Sequence, residues 1–275
     1  MPELNGKYER LCRGIAALGP VAVAFSGGVD STLLLRAAAD ALGPVRVIAV
    51  TVRSEAVAQR EAEAAAEYCA ALGIRHLEAE FRMLDVPGIR DNPPERCYLC
   101  KRALFSQVLQ LAAAQSFSTV VEGSNLDDDG DYRPGRKALA ELGILSPLRD
   151  AGLDKAQIRA ISKRLELPVW DKPALACLAT RIAYGERLTE EKLRAVERAE
   201  AFLLERGFRQ VRVRVHGRLA RIEVAPEAID RLTEQREETA DYFRALGFSH
   251  ICLDLEGYRT GSMNELLPPQ VRETY

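Results

Sequence analysis

The sequence predicts an α/β fold: a doubly wound, mostly parallel sheet followed by a smaller α+β C-terminal domain. Three observations carry that prediction. Short apolar, β-rich runs at 20–25, 45–50, 74–79 and 118–122 alternate with helical periodicities at 31–42, 55–72, 95–114 and 154–165, the pattern of strands covered by helices. The first run breaks into a Ser26-Gly27-Gly28 turn and then a helix, which sets a glycine loop at the carboxyl end of a strand, where open α/β sheets bind ligands. After an irregular stretch at 173–184 the pattern changes. A long charged helix from about Leu188 to Arg206 leads into runs at 211–215 and 219–225 that read as a hairpin across His216-Gly217, then a helix at 227–246 and a strand at 250–255. The expected division is therefore 1–184 and 185–275.

Composition bounds what such a chain can do. With 275 residues, 47% of them hydrophobic, it has enough apolar material for a real core. No stretch approaches the roughly 20 apolar residues of a membrane span, and the N-terminus lacks the basic-then-apolar pattern of a signal peptide, so no membrane partner and a cytoplasmic location are expected. The formal charge of −2 offers a polyanion no large net attraction, so nucleic acid is not the expected partner.

The loop after the first strand is built to hold pyrophosphate. Gly27 and Gly28 carry no Cβ to block close approach of the backbone to an anion. Ser31 and Thr32 open an apolar helix whose N-terminal donors and dipole favour negative charge. Asp30 would repel a phosphate unless a cation lay between them, so it reads as a Mg²⁺ ligand, direct or through water. The loop contains no lysine, which excludes the Gly-Lys-Ser/Thr type of phosphate loop. It resembles instead the Ser-Gly-Gly-x-Asp-Ser loop of the PP-loop ATP pyrophosphatases, whose fold is adenine nucleotide alpha hydrolase-like. That resemblance implies cleavage of ATP between the α- and β-phosphates, leaving the substrate adenylylated. The nucleotide-binding candidates are Ser26, Gly27, Gly28, Asp30, Ser31 and Thr32, with Ser54 after the second strand. Beyond the fourth strand, Glu122 to Gly135 is dense in turn formers and acids; Gly123, Asn125, Asp127 and Asp128 are candidates there for a cation or a ribose, against the plainer reading of a solvated acidic loop.

Six cysteines in a chain of this length do not form a secreted disulfide framework. Cys12, Cys69 and Cys252 lie in apolar or helical surroundings and read as buried, inert thiols. Cys97 and Cys100 follow Pro93-Pro94, which should start a helix near Glu95 and put both thiols on one face near its N-terminus, a position that favours thiolate. Such a pair suits half a zinc site, a redox couple or part of an iron–sulfur cluster. Cys177 is the available third thiol; His76, His216 and His250 read as structural. Three thiolates at a cluster leave one iron open to an exogenous ligand such as hydrosulfide.

In the C-terminal domain the alternation Val211-Arg212-Val213-Arg214-Val215 puts the valines on one strand face and both arginines on the other. Two adjacent guanidiniums need an anion between them, either Glu223 across the hairpin or a phosphate.

Taken together, Ser26-Gly-Gly-Val-Asp-Ser31, Cys97-Tyr-Leu-Cys100-Lys101, Glu122-Gly-Ser-Asn-Leu-Asp-Asp128, Cys177-Leu-Ala-Thr-Arg181-Ile and Leu255-Glu-Gly-Tyr-Arg-Thr-Gly-Ser262 resemble the LarE family over nearly the whole chain. Its members are ATP-dependent sulfur transferases of nickel-pincer nucleotide biosynthesis. The resemblance implies a pyridinium biscarboxylic acid mononucleotide as substrate, a homo-oligomer, and substrate phosphate held by Arg212 and Arg214. It also implies a choice of sulfur source. In one mode the residue matching Cys177 gives up its own sulfur; in the other, three cysteines, here Cys97, Cys100 and Cys177, hold a [4Fe-4S] cluster that carries a replaceable sulfide. The three cysteines favour the second. The catalytic candidates are Asp30, Cys177 and Arg181, with Lys101 beside them for substrate or AMP phosphate and a sulfide or other sulfur donor as co-substrate. A tRNA-thiolating enzyme would use the same loop but should show a basic face, and a nucleotide sensor would not need Asp30 and the thiols together.

Overall fold

The computed structural model describes residues 2–57, 61–130, 134–172, 177–259 and 261–268. The chain divides into two compact units, one of residues 1–54, 59–82 and 97–175, the other of residues 55–58, 83–96 and 176–275. Part of the irregular stretch expected at 173–184, namely 173–176, lies outside the described residues.

The first unit opens with a helix that the loop-centred sequence reading passes over, α1 (Pro2–Leu18), followed by β1 (Val21–Ala24), α2 (Val29–Leu42), β2 (Val47–Arg53), α3 (Glu61–Ala71) and β3 (Arg75–Glu80). α4 (Arg96–Ala114), β4 (Thr119–Val121), the short α5 (Gly135–Glu141) and α6 (Pro147–Asp150), and α7 (Lys155–Arg164) complete it. All four strands run parallel in the order β3-β2-β1-β4. Because β1 pairs with β2 on one side and β4 on the other, strand order reverses at β1, and the loops leaving β1 and β4 open on one crevice.

Alternation along the strands builds two apolar layers. Val21 and Val23 of β1 face Leu11, Ile15, Leu33, Leu34 and Ile158 from α1, α2 and α7, while Ala22 between them faces Val108 and Ala112 of α4. β1, β2 and β4 are buried on both faces, as strands inside a parallel sheet are, whereas the edge strand β3 is partly exposed along its length.

The second unit holds α8 (Glu190–Glu205), β5 (Val211–His216), β6 (Leu219–Val224), α9 (Ile229–Glu234), α10 (Arg236–Ala245) and β7 (His250–Leu253). β5 and β6 form the expected antiparallel hairpin, and β7 joins β6 in parallel after the helical crossover. The helix expected over 227–246 is two, because the chain turns at Gln235, whose N–H bonds back to Leu232. Its apolar spacing holds the packing of Phe243 against Phe202 and Phe248, ring centroids 6.4 and 5.9 Å apart, while hiding the break. No described helix is long and apolar enough to cross a membrane.

Candidate active site

The loop between β1 and α2 is shaped by one glycine and two hydroxyls. Gly27 takes φ +72°, a conformation that a side chain would strain, whereas Gly28 caps α2 at an ordinary φ of −79°. The positive φ is thus needed at the first glycine alone. Ser31 Oγ donates to Gly28 O at 3.2 Å, accepts the Ser26 N–H at 3.3 Å and lies 3.1 Å from Ser26 Oγ, closing the loop on itself. Ser31 and Thr32 are buried inside the first turn of α2, which begins at Val29. Behind the loop, Thr51 Oγ1 donates to Phe25 O at 2.8 Å. With that proton committed, His76 Nε2 is the donor in its 2.7 Å contact with Thr51 Oγ1, so a histidine on β3 braces the residue that enters the loop. Burial lowers the His76 pKa, and Glu78 works against that shift.

The β4 loop comes against the β1 loop at the strand-order reversal. A Cβ on Gly123 would sit 3.1 Å from Ser31 N and 3.2 Å from Asp30 Cβ, so the absence of a side chain there permits the approach. Glu122, 7% exposed, holds the turn from inside: it accepts from Ser124 N at 3.0 Å, Ser124 Oγ at 2.9 Å and Ser146 Oγ at 2.6 Å. Asn125 Nδ2 reaches Asp30 Oδ1 at 3.2 Å, and Asn125 N donates to Asp128 Oδ2 at 2.9 Å. Asp30 Oδ2 pairs with the ammonium of Lys155 at the start of α7. A cation beside Asp30 follows from Coulomb's law, but the local sequence does not announce that an ammonium stands there, 125 residues further along. Asp127 is exposed and accepts from Lys155 N at 3.0 Å. Ser54, half-buried, follows β2 in this same unit.

Cys97 and Cys100 occupy the first turn of α4, one turn apart on one face and half-buried. On the same helix Tyr98 donates to Glu141 at 2.8 Å, and the stem of Lys101 packs on Gly135, where a Cβ would lie 2.6 Å from Lys101 Cδ.

Cys177 belongs to the second unit, as do the arginines. It caps a 3₁₀ turn, Leu178–Arg181, and its carbonyl accepts from Thr180 N at 2.9 Å, Thr180 Oγ1 at 2.7 Å and Arg181 Nη1 at 3.1 Å. Arg181 is 1% exposed and forks onto Glu200, Nε to Oε1 at 2.8 Å and Nη2 to Oε2 at 3.0 Å. It is a buried anchor of the Cys177 turn. Nearby, Asn92 at φ +52° donates to Ile182 O and Ala183 O, and Arg96 donates to Asn92 Oδ1 and to Ala179 O at 3.1 Å.

Both arginines of β5 are buried, although they share the face opposite the valines. Glu223 is 0% exposed. It stands opposite Arg212 in register but takes Arg214 instead, with Nε at 3.0 Å and Nη2 at 2.8 Å, and also Arg221 at 3.1 Å and Ser262 Oγ at 2.9 Å. Arg212 donates to Val211 O and lies 5.4 Å from the centre of the Tyr258 ring. Burial first, then Arg181, pushes its pKa below the ordinary value, and Glu200 opposes them. Glu200, Tyr258 and Ser262 are the members of this layer that pattern reading misses, because alternation shows which side chains share a face and not which ones cover it.

Among the described residues, no three or more His, Cys, Asp or Glu side chains are grouped as ligands of a metal ion. None of the six cysteines is in a disulfide. Cys69 is buried and its thiol is pushed up to about 12 by burial, as an inert cysteine should be. Cys252 is exposed, which corrects the expectation of a buried thiol: it faces outward on β7, a strand paired on one side only.

The family model described as asparagine synthase matches residues 13–120, the stretch from α1 through β4 that carries the glycine loop. Among curated proteins, the uncharacterized protein slr1717 of Synechocystis sp. is 41% identical over 96% of this chain and 99% of its own length. The pyridinium-3,5-bisthiocarboxylic acid mononucleotide synthase of Lactiplantibacillus plantarum is 36% identical over 97% of both chains. The uncharacterized protein MJ0830 of Methanocaldococcus jannaschii is 28% identical over 87% of this chain and 91% of its own. With the phosphate loop at the reversal of a parallel sheet, and with a named relative matched from end to end, the chain belongs to the LarE family of ATP-dependent sulfurtransferases within the PP-loop superfamily.

Proposed function

We propose that this enzyme adenylylates the carboxylates of pyridinium-3,5-biscarboxylic acid mononucleotide and converts them to thiocarboxylates, in the biosynthesis of the nickel-pincer nucleotide. The observation that carries the reading is the meeting of the Ser26–Ser31 loop with Gly123 and Asn125 at the strand-order reversal. The name of the Lactiplantibacillus relative supplies the substrate class.

A carboxylate oxygen is too poor a leaving group for sulfur to displace, and ATP removes that obstacle. The substrate carboxylate attacks the α-phosphorus, forming an acyl adenylate, while the loop backbone and the start of α2 hold the departing pyrophosphate. Asp30, with one oxygen toward Asn125 and one toward Lys155, is a carboxylate suited to Mg²⁺ at the rim of this cradle. When bound there, Mg²⁺ offsets the charge that develops on pyrophosphate. Sulfur then attacks the acyl carbon and AMP leaves.

The thiols fit a cluster by donor chemistry: Cys97 and Cys100 share one helical turn, and the Cys177 turn is held rigid by Arg181. A [4Fe-4S] cluster, when bound, supplies replaceable sulfide at its open iron. The second reading makes the Cys177 sulfur itself the one transferred. Arg212 and Arg214 hold the substrate phosphate. Arg181, Arg212 and Arg214 are buried together in this layer, and guanidiniums are the side chains suited to a phosphate. The same reading makes the protein a cytoplasmic homo-oligomer acting on a small nucleotide and not on nucleic acid.

The test mixes anaerobically purified protein with ATP, Mg²⁺, sulfide and the biscarboxylated mononucleotide, and follows pyrophosphate and product mass. Expected are pyrophosphate release that depends on the mononucleotide and a product in which sulfur replaces oxygen. Iron and sulfide analysis should find a cluster that Cys97→Ala loses. Iron-free active protein whose Cys177 loses one sulfur in turnover would leave the sacrificial reading standing.

A further inference from the structure

We propose that Asn92 and Arg96 are positioning residues for the sulfur-transfer step, bracketing the far side of the Cys177 turn while Arg181 holds its near side. The inference rests on the sulfur-transfer reading, in which Cys177 either ligates a cluster or gives up its own sulfur, and it names what fixes that residue's backbone. Asn92, Arg96, Cys177 and Arg181 all belong to the second unit.

The carbonyls along this turn are taken up from two directions. Cys177 O accepts from Arg181 Nη1, whereas Ala179 O accepts from Arg96 Nη1 at 3.1 Å. Just past the turn, Ile182 O and Ala183 O accept from Asn92 Nδ2 at 3.2 and 2.7 Å. Arg96 Nη1 also donates to Asn92 Oδ1, which makes the two side chains one bracket. Asn92 is 0% exposed and Arg96 2%, so these bonds form away from water, where losing one is costly. Asn92 is not placed by local preference. It holds φ +52° and ψ 51°, the left-handed region, although Pro93 follows and favours extended backbone in the residue before it. Its N–H donates to Ile89 O and its carbonyl accepts from Gly185 N, both at 2.9 Å, so the strained residue is pinned on every side. What the pinning secures is the path of the chain from Ala179 to Gly185, and with it the direction in which the Cys177 side chain leaves the backbone. Sulfur transfer needs that direction, since a misplacement of about 1 Å can cost on the order of 10²-fold in rate. Forming the acyl adenylate makes no use of Cys177, so the bracket bears on the second half-reaction alone.

Anaerobic single-turnover reactions of the full chain with ATP, Mg²⁺, sulfide and the biscarboxylated mononucleotide test this, with pyrophosphate and thiocarboxylate timed separately. The proteins are wild type, Asn92→Gly, Arg96→Met, Arg96→Lys, and Asn92→Gly combined with Arg96→Met. Glycine accepts the positive φ, so Asn92→Gly removes the side-chain bonds without straining the backbone. Pyrophosphate should appear within about twofold of the wild-type rate, which also shows the variants to be folded. Thiocarboxylate should form about tenfold or more slowly in Asn92→Gly and in Arg96→Met, with Arg96→Lys between Arg96→Met and wild type because an ammonium restores one donor. The double variant should lose less than the product of the two single losses, since one bracket is removed in either case. Equal slowing of both steps in Asn92→Gly would make the role merely structural and overturn the proposal, as would thiocarboxylate formation at the wild-type rate in that variant; it decides the matter if Arg96→Met does not fold. Wild type that releases pyrophosphate and forms no thiocarboxylate overturns the sulfur-transfer reading with it.

Discussion

The cradle at the end of β1 and the arginine layer on β5 are both built for anions, and they do it in opposite ways. Around Ser26–Ser31 the donors are backbone groups and hydroxyls set by the strand-to-helix turn, and Asp30 forms a half-open pair with Lys155. In the layer on β5 the donors are guanidiniums, those of Arg181, Arg212 and Arg214 buried, with Glu200 and Glu223 holding Arg181 and Arg214 in place. A turn can be rebuilt by any sequence that allows its φ and its close approaches, whereas buried charges are stable only as a matched set. The cradle should therefore lose function without losing the fold, and the arginine layer should lose both together.

The largest effect expected from this contrast is on Glu223→Ala, which leaves the buried Arg214 without its carboxylate, while Arg221 keeps Asp254, and should cost about 3–5 kcal/mol of stability. Urea denaturation measures it, and a cost below about 1 kcal/mol would mean that water reaches the layer and the two regions are alike. Next comes Gly123→Val: its Cβ presses on Ser31 N and Asp30, displacing the loop, and pyrophosphate release should fall on the order of 10²-fold while the urea midpoint changes little. A variant with unchanged turnover would show that the two loops need not touch. Asp154→Ala removes the cap of α7 and should cost about 1 kcal/mol; weaker ATP binding in the same variant would sharpen the link between that helix start and the cradle.

The smallest effect is a pH dependence. Burial lowers the pKa of both His76 behind the cradle and His216 at the end of β5. Below the ordinary value near 6.5 the unfolded imidazoles bind protons that the folded ones refuse, so stability falls as pH drops from about 7.5 toward 5.5. His76→Gln should flatten that slope in part; a variant with the full wild-type slope would assign it elsewhere.

How much of this was legible beforehand differs between the same two regions. Around Ser26 nearly everything that shapes the loop lies within seven residues, and it could be read because turn geometry is local: a glycine at positive φ, hydroxyls in a first helical turn, an apolar strand before and an apolar helix after. In the arginine layer alternation revealed that Arg212 and Arg214 share a face. It pointed to Glu223 but not to which arginine it serves, since a long side chain reaches diagonally past its register partner. The break at Gln235 was hidden because its apolar spacing is that of one continuous helix.

By itself, then, the sequence determined the strand-and-helix alternation, the phosphate loop, the pair of thiols on one helical turn and the hairpin, all of which depend on neighbours within a few residues. Only the tertiary structure decided that Lys155 stands at Asp30, that Glu122 braces the second loop from within, and that Arg181 is locked to Glu200 beneath the Cys177 carbonyl. Such pairings join residues far apart along the chain, and periodicity carries no information about them. What selects them is the high cost of leaving a charge without a partner once the packed sheet and helices have brought it out of water.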